Sequence, residues 1–271
     1  MIQLGIAGLG GRGGSFMAAC QALGVHIRAV CDTNPQTLDE RAAPLHAEEH
    51  YTDFAQMLDQ SHLDAVIIGT PMHLHASQSC MALERGVNVL CEVTPAVSLD
   101  ECRQLVQACR SGKVLYKLAE NCNLMKPNLM VTEMVRQGVF GQTYYAAGEY
   151  LHELRELNER TLWRRKWQTG IDGITYGTHS LGPILQWMPG DRVTEVCCTG
   201  SGHHYRDARN VAYENEDSCL MLCTMQSGGQ VEVRVDMVSN RPYGLNYALQ
   251  GTQGVYESAR TPGERDKVWL H

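Results

Sequence analysis

The sequence predicts an α/β protein in two parts: a doubly wound parallel sheet over residues 1–121, then an α+β domain with a mostly antiparallel, open sheet over residues 122–271. Three observations predict it. Short apolar runs alternate with helical stretches as far as Leu118. A glycine-rich turn, Gly8-Leu9-Gly10-Gly11-Arg12-Gly13, follows the first run and opens the first helix. Beyond Asn121 strand patterns dominate, many with period-two alternation, as in Val231-Glu232-Val233-Arg234-Val235. Strands separated by helices build a parallel sheet with helices on both faces, whereas alternation suits an antiparallel sheet covered on one face.

The elements follow in order. Ile2 to Ala7 reads as a strand, then the glycine turn, then a helix through Ala22. Val25 to Cys31 is the second strand, ending at Asp32, and residues 35–45 have a helical pattern. Ala65 to Gly69 is the third strand, followed by Thr70-Pro71 and a helix from His75 to Arg85. Val87 to Cys91 is the fourth. Leu99 to Ser111 is a helix whose first turn carries Asp100 and Glu101, the charge that a helix N-terminus favours. Val114 to Leu118 closes the series. In the second part a helix spans Pro127 to Gln137, with Gly138 as its C-cap. Strands follow at 143–151, 193–200, 218–225, 229–238, 243–251 and 254–258.

Composition bounds the function. The chain has 271 residues, 44% hydrophobic and 20% charged, as ordinary globular domains do. Its net charge of −7 argues against a nucleic-acid partner, which calls for a basic face. No apolar run is long enough to span a bilayer, and the N-terminus lacks the basic start and apolar core of a signal peptide. A cytoplasmic location is expected. The 11 cysteines include no CxxC spacing and read as small buried hydrophobes in a reducing compartment.

The glycine turn matches GxGxxG, a weak signal alone. Between a strand and a helix it becomes the fingerprint of a Rossmann domain that binds a dinucleotide. Gly8 permits the tight turn, Gly10 lets the backbone approach a pyrophosphate, and Gly13 lets helix and strand pack closely. The helix N-terminus offers unpaired N–H groups to the anion. Asp32, nineteen positions after Gly13, ends the second strand, where a carboxylate accepts from ribose hydroxyls and repels a 2′-phosphate. NAD is the expected cofactor. The plainer alternative is an aspartate that only caps the next helix.

With the fingerprint, Gly69-Thr70-Pro71-Met72-His73-Leu74-His75-Ala76 and Asn88-Val89-Leu90-Cys91-Glu92 resemble the Gfo/Idh/MocA oxidoreductase family. There the second segment lies near the nicotinamide half of the cofactor, and the third leads into a Glu-Lys-Pro motif whose lysine assists alcohol oxidation. Here Val93 stands in place of that lysine, and valine carries no proton. A narrower resemblance accounts for the departure. Glu92 to Cys102, Glu120-Asn121-Cys122, Met134 to Gly138, Tyr150 to Arg155, Thr178-His179-Ser180-Leu181-Gly182-Pro183 and Arg241-Pro242-Tyr243 resemble family 109 glycoside hydrolases, NAD-dependent glycosidases on the same fold. Members of that family are longer, so the chain is either a compact homologue or one that lacks the last part of the second domain.

The resemblance implies glycoside cleavage by transient oxidation at C3, loss of the C2 proton, elimination of the C1 substituent, water addition and re-reduction. Such a route needs general bases rather than a carboxylate pair. It implies His179, Tyr150 and His152 as catalytic groups, with Glu120, Arg164, Tyr176 and Tyr243 binding a carbohydrate or glycoside substrate. Gly8, Gly10, Gly11, Arg12, Gly13, Asp32, Thr70, Pro71, His73, His75, Glu92 and Asn121 are the implied cofactor contacts. Plainer readings stand beside these. His179 would cap a helix starting at Ser180, Tyr150 and His152 would share a half-buried sheet face by period two, and Arg164 would belong to a solvated basic patch. His73, His203 and His204 lack a third ligand at metal spacing, so no metal is expected. A sugar or inositol dehydrogenase and a non-catalytic NAD-binding regulator are the competing functions. Family analogy further implies a homo-oligomer packed through the C-terminal sheet.

Overall fold

Apolar segments buried on both faces become the parallel strands of the first unit, where helices cover each side. The structure, a computed structural model, describes residues 2–111 and 113–271 and divides into two units, Met1–Ala119 and Glu120–His271. The first unit runs β1 (Leu4–Ala7), α1 (Gly11–Ala22), β2 (Ile27–Cys31), α2 (Pro35–Ala42), β3 (Glu49–Tyr51), α3 (Phe54–Gln60), β4 (Ala65–Ile68), α4 (His75–Glu84), β5 (Asn88–Cys91), α5 (Leu99–Ser111) and β6 (Tyr116–Leu118). All strand pairs are parallel, in the order β3-β2-β1-β4-β5-β6. Alternate residues of each central strand enter two separate cores. Ile6, Val30 and Ile67 pack with Met17, Cys20, Leu38 and Leu45. Ala7, Cys31, Val66 and Ile68 pack with Met57, Leu58, Leu83 and Leu105.

This is the doubly wound sheet the sequence predicts, with two additions and several trimmed strand ends: β1 begins at Leu4 rather than Ile2 and β6 at Tyr116 rather than Val114. The sequence pattern marks no element between residues 45 and 65, yet β3 and α3 lie there. β3 is an edge strand of Glu49, His50 and Tyr51, none fully buried, so it carries no apolar signature. Helix α3 does have a sequence signal: Asp53 caps it by accepting from Gln56 N–H at 2.7 Å. β2 begins at Ile27 rather than Val25.

The second unit runs α6 (Lys126–Arg136), β7 (Thr143–Leu151), α7 (Arg155–Arg160), α8 (Leu162–Trp167), α9 (Thr178–Trp187), β8 (Val193–Gly200), β9 (Cys219–Met225), β10 (Gln230–Asp236), β11 (Gly244–Gly251), β12 (Gly254–Glu257) and β13 (Lys267–Leu270). Its sheet order is β13-β12-β11-β7-β10-β9-β8, antiparallel except where β7 and β10 run parallel at the centre. Helix α9 lies on β7, β10 and β11. Its approach depends on Gly148 of β7, where a Cβ would stand 2.7 Å from the Ser180 carbonyl oxygen. Among the described residues, no helix is long and apolar enough to cross a membrane. The cysteines need a correction: Cys102, Cys197 and Cys198 are exposed, the last two on the edge strand β8, although six others are buried as expected.

Candidate functional site

The three fingerprint glycines meet three different constraints. Gly8 has φ +81°, and a Cβ there would lie 2.6 Å from Thr70 N, so both conformation and space exclude a side chain. A Cβ on Gly13 would stand 1.7 Å from the Gly8 carbonyl oxygen, which makes glycine the condition for close helix–strand packing. Gly10 and Gly11 have no atom within 4 Å of the Cβ position, leaving open space at the start of α1. Gly10 caps α1 without a side-chain hydrogen bond, and no acidic residue occupies the first turn. The N–H groups there are left for an anion.

Asp32 reaches back to this turn. Its Oδ2 accepts from Leu9 N–H at 2.8 Å and its Oδ1 from Asn34 N–H at 2.9 Å. The cap of α2 is Asn34, which accepts from Gln36 and Thr37, so Asp32 is not that helix's cap. Each carboxylate oxygen keeps a second acceptor position for a hydroxyl. Arg12 donates from Nε to Glu92 Oε1 at 2.9 Å. Glu92 is buried at the end of β5, and its Oε2 has no hydrogen-bond partner among the described residues. A buried acceptor in that state is suited to an incoming donor such as a carboxamide. Cradle, acidic strand end and open acceptor together fit a dinucleotide.

The following loop is organised from within. Thr70 donates to Gln78 Oε1 at 2.6 Å, while Pro71 and His73 are half-buried beside it. His75 is buried, with Nδ1 2.7 Å from the Thr94 carbonyl oxygen and Nε2 2.7 Å from that of Thr70. Each ring nitrogen thus faces a backbone carbonyl, one from each loop, and the ring N–H donates to one of them. Burial, opposed by those two carbonyls and by Glu92, holds the imidazole below its usual pKa. Asn121 is exposed on a short 3-10 turn, Asn121–Leu124, in the second unit.

In the second unit the structure gathers all seven residues the sequence analysis singles out there as catalytic or substrate-binding. His179, in the first turn of α9, places Nδ1 2.7 Å from Glu120 Oε1. A carboxylate only accepts, so Nδ1 carries a proton toward Glu120 and Nε2 is the ring nitrogen left to face a substrate. Burial opposes ionisation of Glu120, but the hydrogen bond and charge of His179, with the Cys122 N–H at 3.0 Å, outweigh it and hold the carboxyl below its usual range. Gly182 lets α9 reach Glu120, since a Cβ there would lie 2.9 Å from Glu120 Cγ.

Tyr150, buried on β7, stacks on Tyr176 with ring centroids 5.8 Å apart and lies 4.8 Å from the His179 ring. Its hydroxyl is 2.7 Å from His152 Nδ1. Burial pushes the phenol well above its usual range and, with the charges of His179 and Arg164 against that of Glu153, holds His152 below its own. A protonated phenol thus meets a neutral imidazole at hydrogen-bond distance. Tyr243, more exposed, lies edge-on to His152 with ring centroids 4.9 Å apart. Arg164 donates to Gln168 Oε1 at 3.1 Å and to the Tyr176 hydroxyl at 3.3 Å. Its neighbour Arg165 pairs with Asp207 and Glu214, so the basic run is divided between a structural ion cluster and this site.

Two residues here escaped the sequence reading. Cys122 Sγ is 3.6 Å from His179 Nδ1, and the Tyr247 hydroxyl donates to the His179 carbonyl oxygen at 2.6 Å. Glu120, Cys122 and His179 place ligand-type atoms within 4.8 Å of one another. The 2.7 Å from Nδ1 to Oε1 is a hydrogen-bond length, shorter than the about 3.3 Å between two donors each about 2 Å from one tetrahedral ion.

Comparison with known proteins agrees with this two-part geometry. Residues 2–119 match the family described as "Oxidoreductase family, NAD-binding Rossmann fold", and residues 124–268 match "Glycosyl hydrolase 109, C-terminal domain". A glycosyl hydrolase family 109 protein of Shewanella pealeana is 33% identical over 94% of this chain and 62% of its own length. An alpha-N-acetylgalactosaminidase of Shewanella oneidensis is 30% identical over 94% of this chain and 62% of its own. The chain thus spans less than two thirds of the length of these relatives. Among solved structures, the WlbA dehydrogenase of Bordetella pertussis, in complex with NADH and UDP-GlcNAcA, shares the fold. Its TM-score is 0.82 at 22% identity, over 99% of this chain and 83% of that one.

Proposed function

The chain belongs to glycosyl hydrolase family 109, and from that premise we propose that it is an NAD-dependent glycosidase that cleaves a glycosidic bond without net oxidation. In this reading residues 1–121 bind NAD and residues 122–271 bind and cleave the sugar. The Gly8–Gly13 turn, Arg12, Asp32, the Thr70–His75 loop, Glu92 and Asn121 would hold the cofactor. Bound NAD supplies a hydride acceptor and donor for C3 of the sugar, which acidifies the C2 proton and lets the C1 substituent leave by elimination.

The observation that carries the reading is the Glu120–His179 dyad beside Tyr150. Most glycosidases work with two carboxylates, but in this cluster Glu120 is committed to His179. Glu120 orients the imidazole, and His179 Nε2 takes and returns a proton on the sugar. Tyr150 with His152 forms the second acid/base pair: Tyr150 handles the C2 proton or the attacking water, and His152 assists the leaving group. Arg164, Tyr176 and Tyr243 bind the sugar. Because a 30%-identical relative is an alpha-N-acetylgalactosaminidase, N-acetylgalactosaminides are the first substrates to try. Val93, in the position of the dehydrogenase lysine, supports cleavage over net oxidation. The open face of the second sheet is the surface for self-association, and eleven free cysteines suit a reducing cytoplasm.

The test is a panel of aryl glycosides with phenol release and NADH absorbance followed together. Phenol without stoichiometric NADH supports the glycosidase. NADH accumulating from a free sugar, with no phenol released, refutes it in favour of a dehydrogenase.

A further inference from the structure

Helix α9 contains a proline where its hydrogen-bond ladder needs a donor. His179 and Pro183 are four apart, so residue 183 is the one whose N–H would bond the His179 carbonyl, and proline has none. That carbonyl belongs to a buried residue and needs another partner. Tyr247 provides it, its hydroxyl donating at 2.6 Å. The register explains how it gets there. Tyr247 on β11 sits directly opposite Gly148 on β7, where a missing side chain lets α9 settle onto the sheet. The Tyr247 ring is itself fixed, buried and edge-on to Trp187 at 5.7 Å, while Trp187 donates to the Asn128 carbonyl oxygen at 3.2 Å. Burial, then the charge and hydrogen bond of Cys122, push the Tyr247 phenol far above its usual range, so it remains a donor at any working pH.

The geometry points to Tyr247 as a positioning residue: its hydroxyl replaces the helix N–H that Pro183 removes, and so fixes the His179 backbone that aims the imidazole at Glu120. The catalytic part of this rests on the reading of His179 as the acid/base group; the structural part does not. A bond between two elements of the sheet-and-helix packing holds the histidine to the substrate-bearing strands.

Tyr247→Phe deletes the donor and keeps the ring. Pro183→Ala in the same chain restores the local N–H. Two readouts apply: kcat and KM on an aryl glycoside, and the Nδ1–H resonance of His179 in the 15N-histidine-labelled full chain, assigned by its loss in His179→Gln. Tyr247→Phe should lower kcat roughly 10–100-fold with KM within about twofold, as a small misplacement of an acid/base group does, and broaden the Nδ1–H signal. The double variant should recover both. If Tyr247→Phe fails to fold, recovery of folding in the double variant supports the proposal and continued failure overturns it. Retention of kcat in Tyr247→Phe, with or without the resonance, or no recovery in the double variant, also overturns it. Should the wild type cleave no glycoside, the functional reading fails, and the resonance in the three proteins still decides whether Tyr247 orients His179.

Discussion

Alanine at Gly13 and alanine at Gly10 should have different consequences, although both break the same fingerprint. At Gly13 the new methyl would lie 1.7 Å from the Gly8 carbonyl oxygen and 2.8 Å from its carbon. Both are backbone atoms that no rotamer change can move. Helix α1 must shift outward, and overpacking of this kind costs about 1–3 kcal/mol. In a unit of this size that corresponds to a melting temperature lower by roughly 4–12 °C. At Gly10 nothing lies within 4 Å, so the methyl leaves the apo fold alone but fills the space where the pyrophosphate would approach the N-terminus of α1. Its expected effect is an NAD affinity reduced at least about tenfold, about 1.4 kcal/mol, at unchanged apo stability. Thermal unfolding of the apo proteins and calorimetric titration with NAD separate the two. NAD binding by Gly10→Ala as tight as in the wild type, or an unmoved melting temperature in Gly13→Ala, refutes the reasoning.

Other consequences concern the second unit. Glu120→Gln removes the charge that orients His179 and should lower kcat by roughly 10²-fold, measured on an aryl glycoside, with the fold intact by circular dichroism. Tyr150→Phe should lower kcat with little change in KM, because it removes the proton and keeps the stacking on Tyr176; a kcat equal to wild type would assign the proton to another group. Stability should fall as pH drops from neutrality. The folded-state pKa of His152 lies below its usual value, so the unfolded chain takes up the proton first, and stability present above that value is lost as pH falls through the folded pKa. Glu120, also depressed, acts in the same direction at lower pH, and Glu120→Gln should flatten that part of the melting-temperature profile.

How much of this was legible in the sequence varies with the physical range of the constraint. The glycine turn was readable because backbone conformation and contact distance act within one turn, and Gly8, Gly10 and Gly13 each meet a local requirement. The central strands were readable because they are buried on both faces. The edge strand at Glu49 was not, since an edge has little apolar surface to hide. Period two placed Tyr150 and His152 on one side, and the structure joins them by a hydrogen bond. Nothing local joins Cys122 or Tyr247 to His179; those partners are 57 and 68 positions away and meet only through the packing of α9 on the sheet. Yet one signal was present. A proline four residues after a histidine, inside a helix, announces a carbonyl in need of an outside donor.

The central claim is that the glycosidic bond breaks by elimination after transient oxidation, and isotope content of the product tests it most directly. Cleavage of an aryl N-acetylgalactosaminide in D₂O, with the released sugar analysed by proton NMR, reports which ring proton has exchanged. The account predicts deuterium at C2 and none at C3, because the C2 proton passes through a solvent-exchanging base while the C3 hydride is returned. A released sugar with its C2 proton intact would mean direct displacement at C1 and contradict the account.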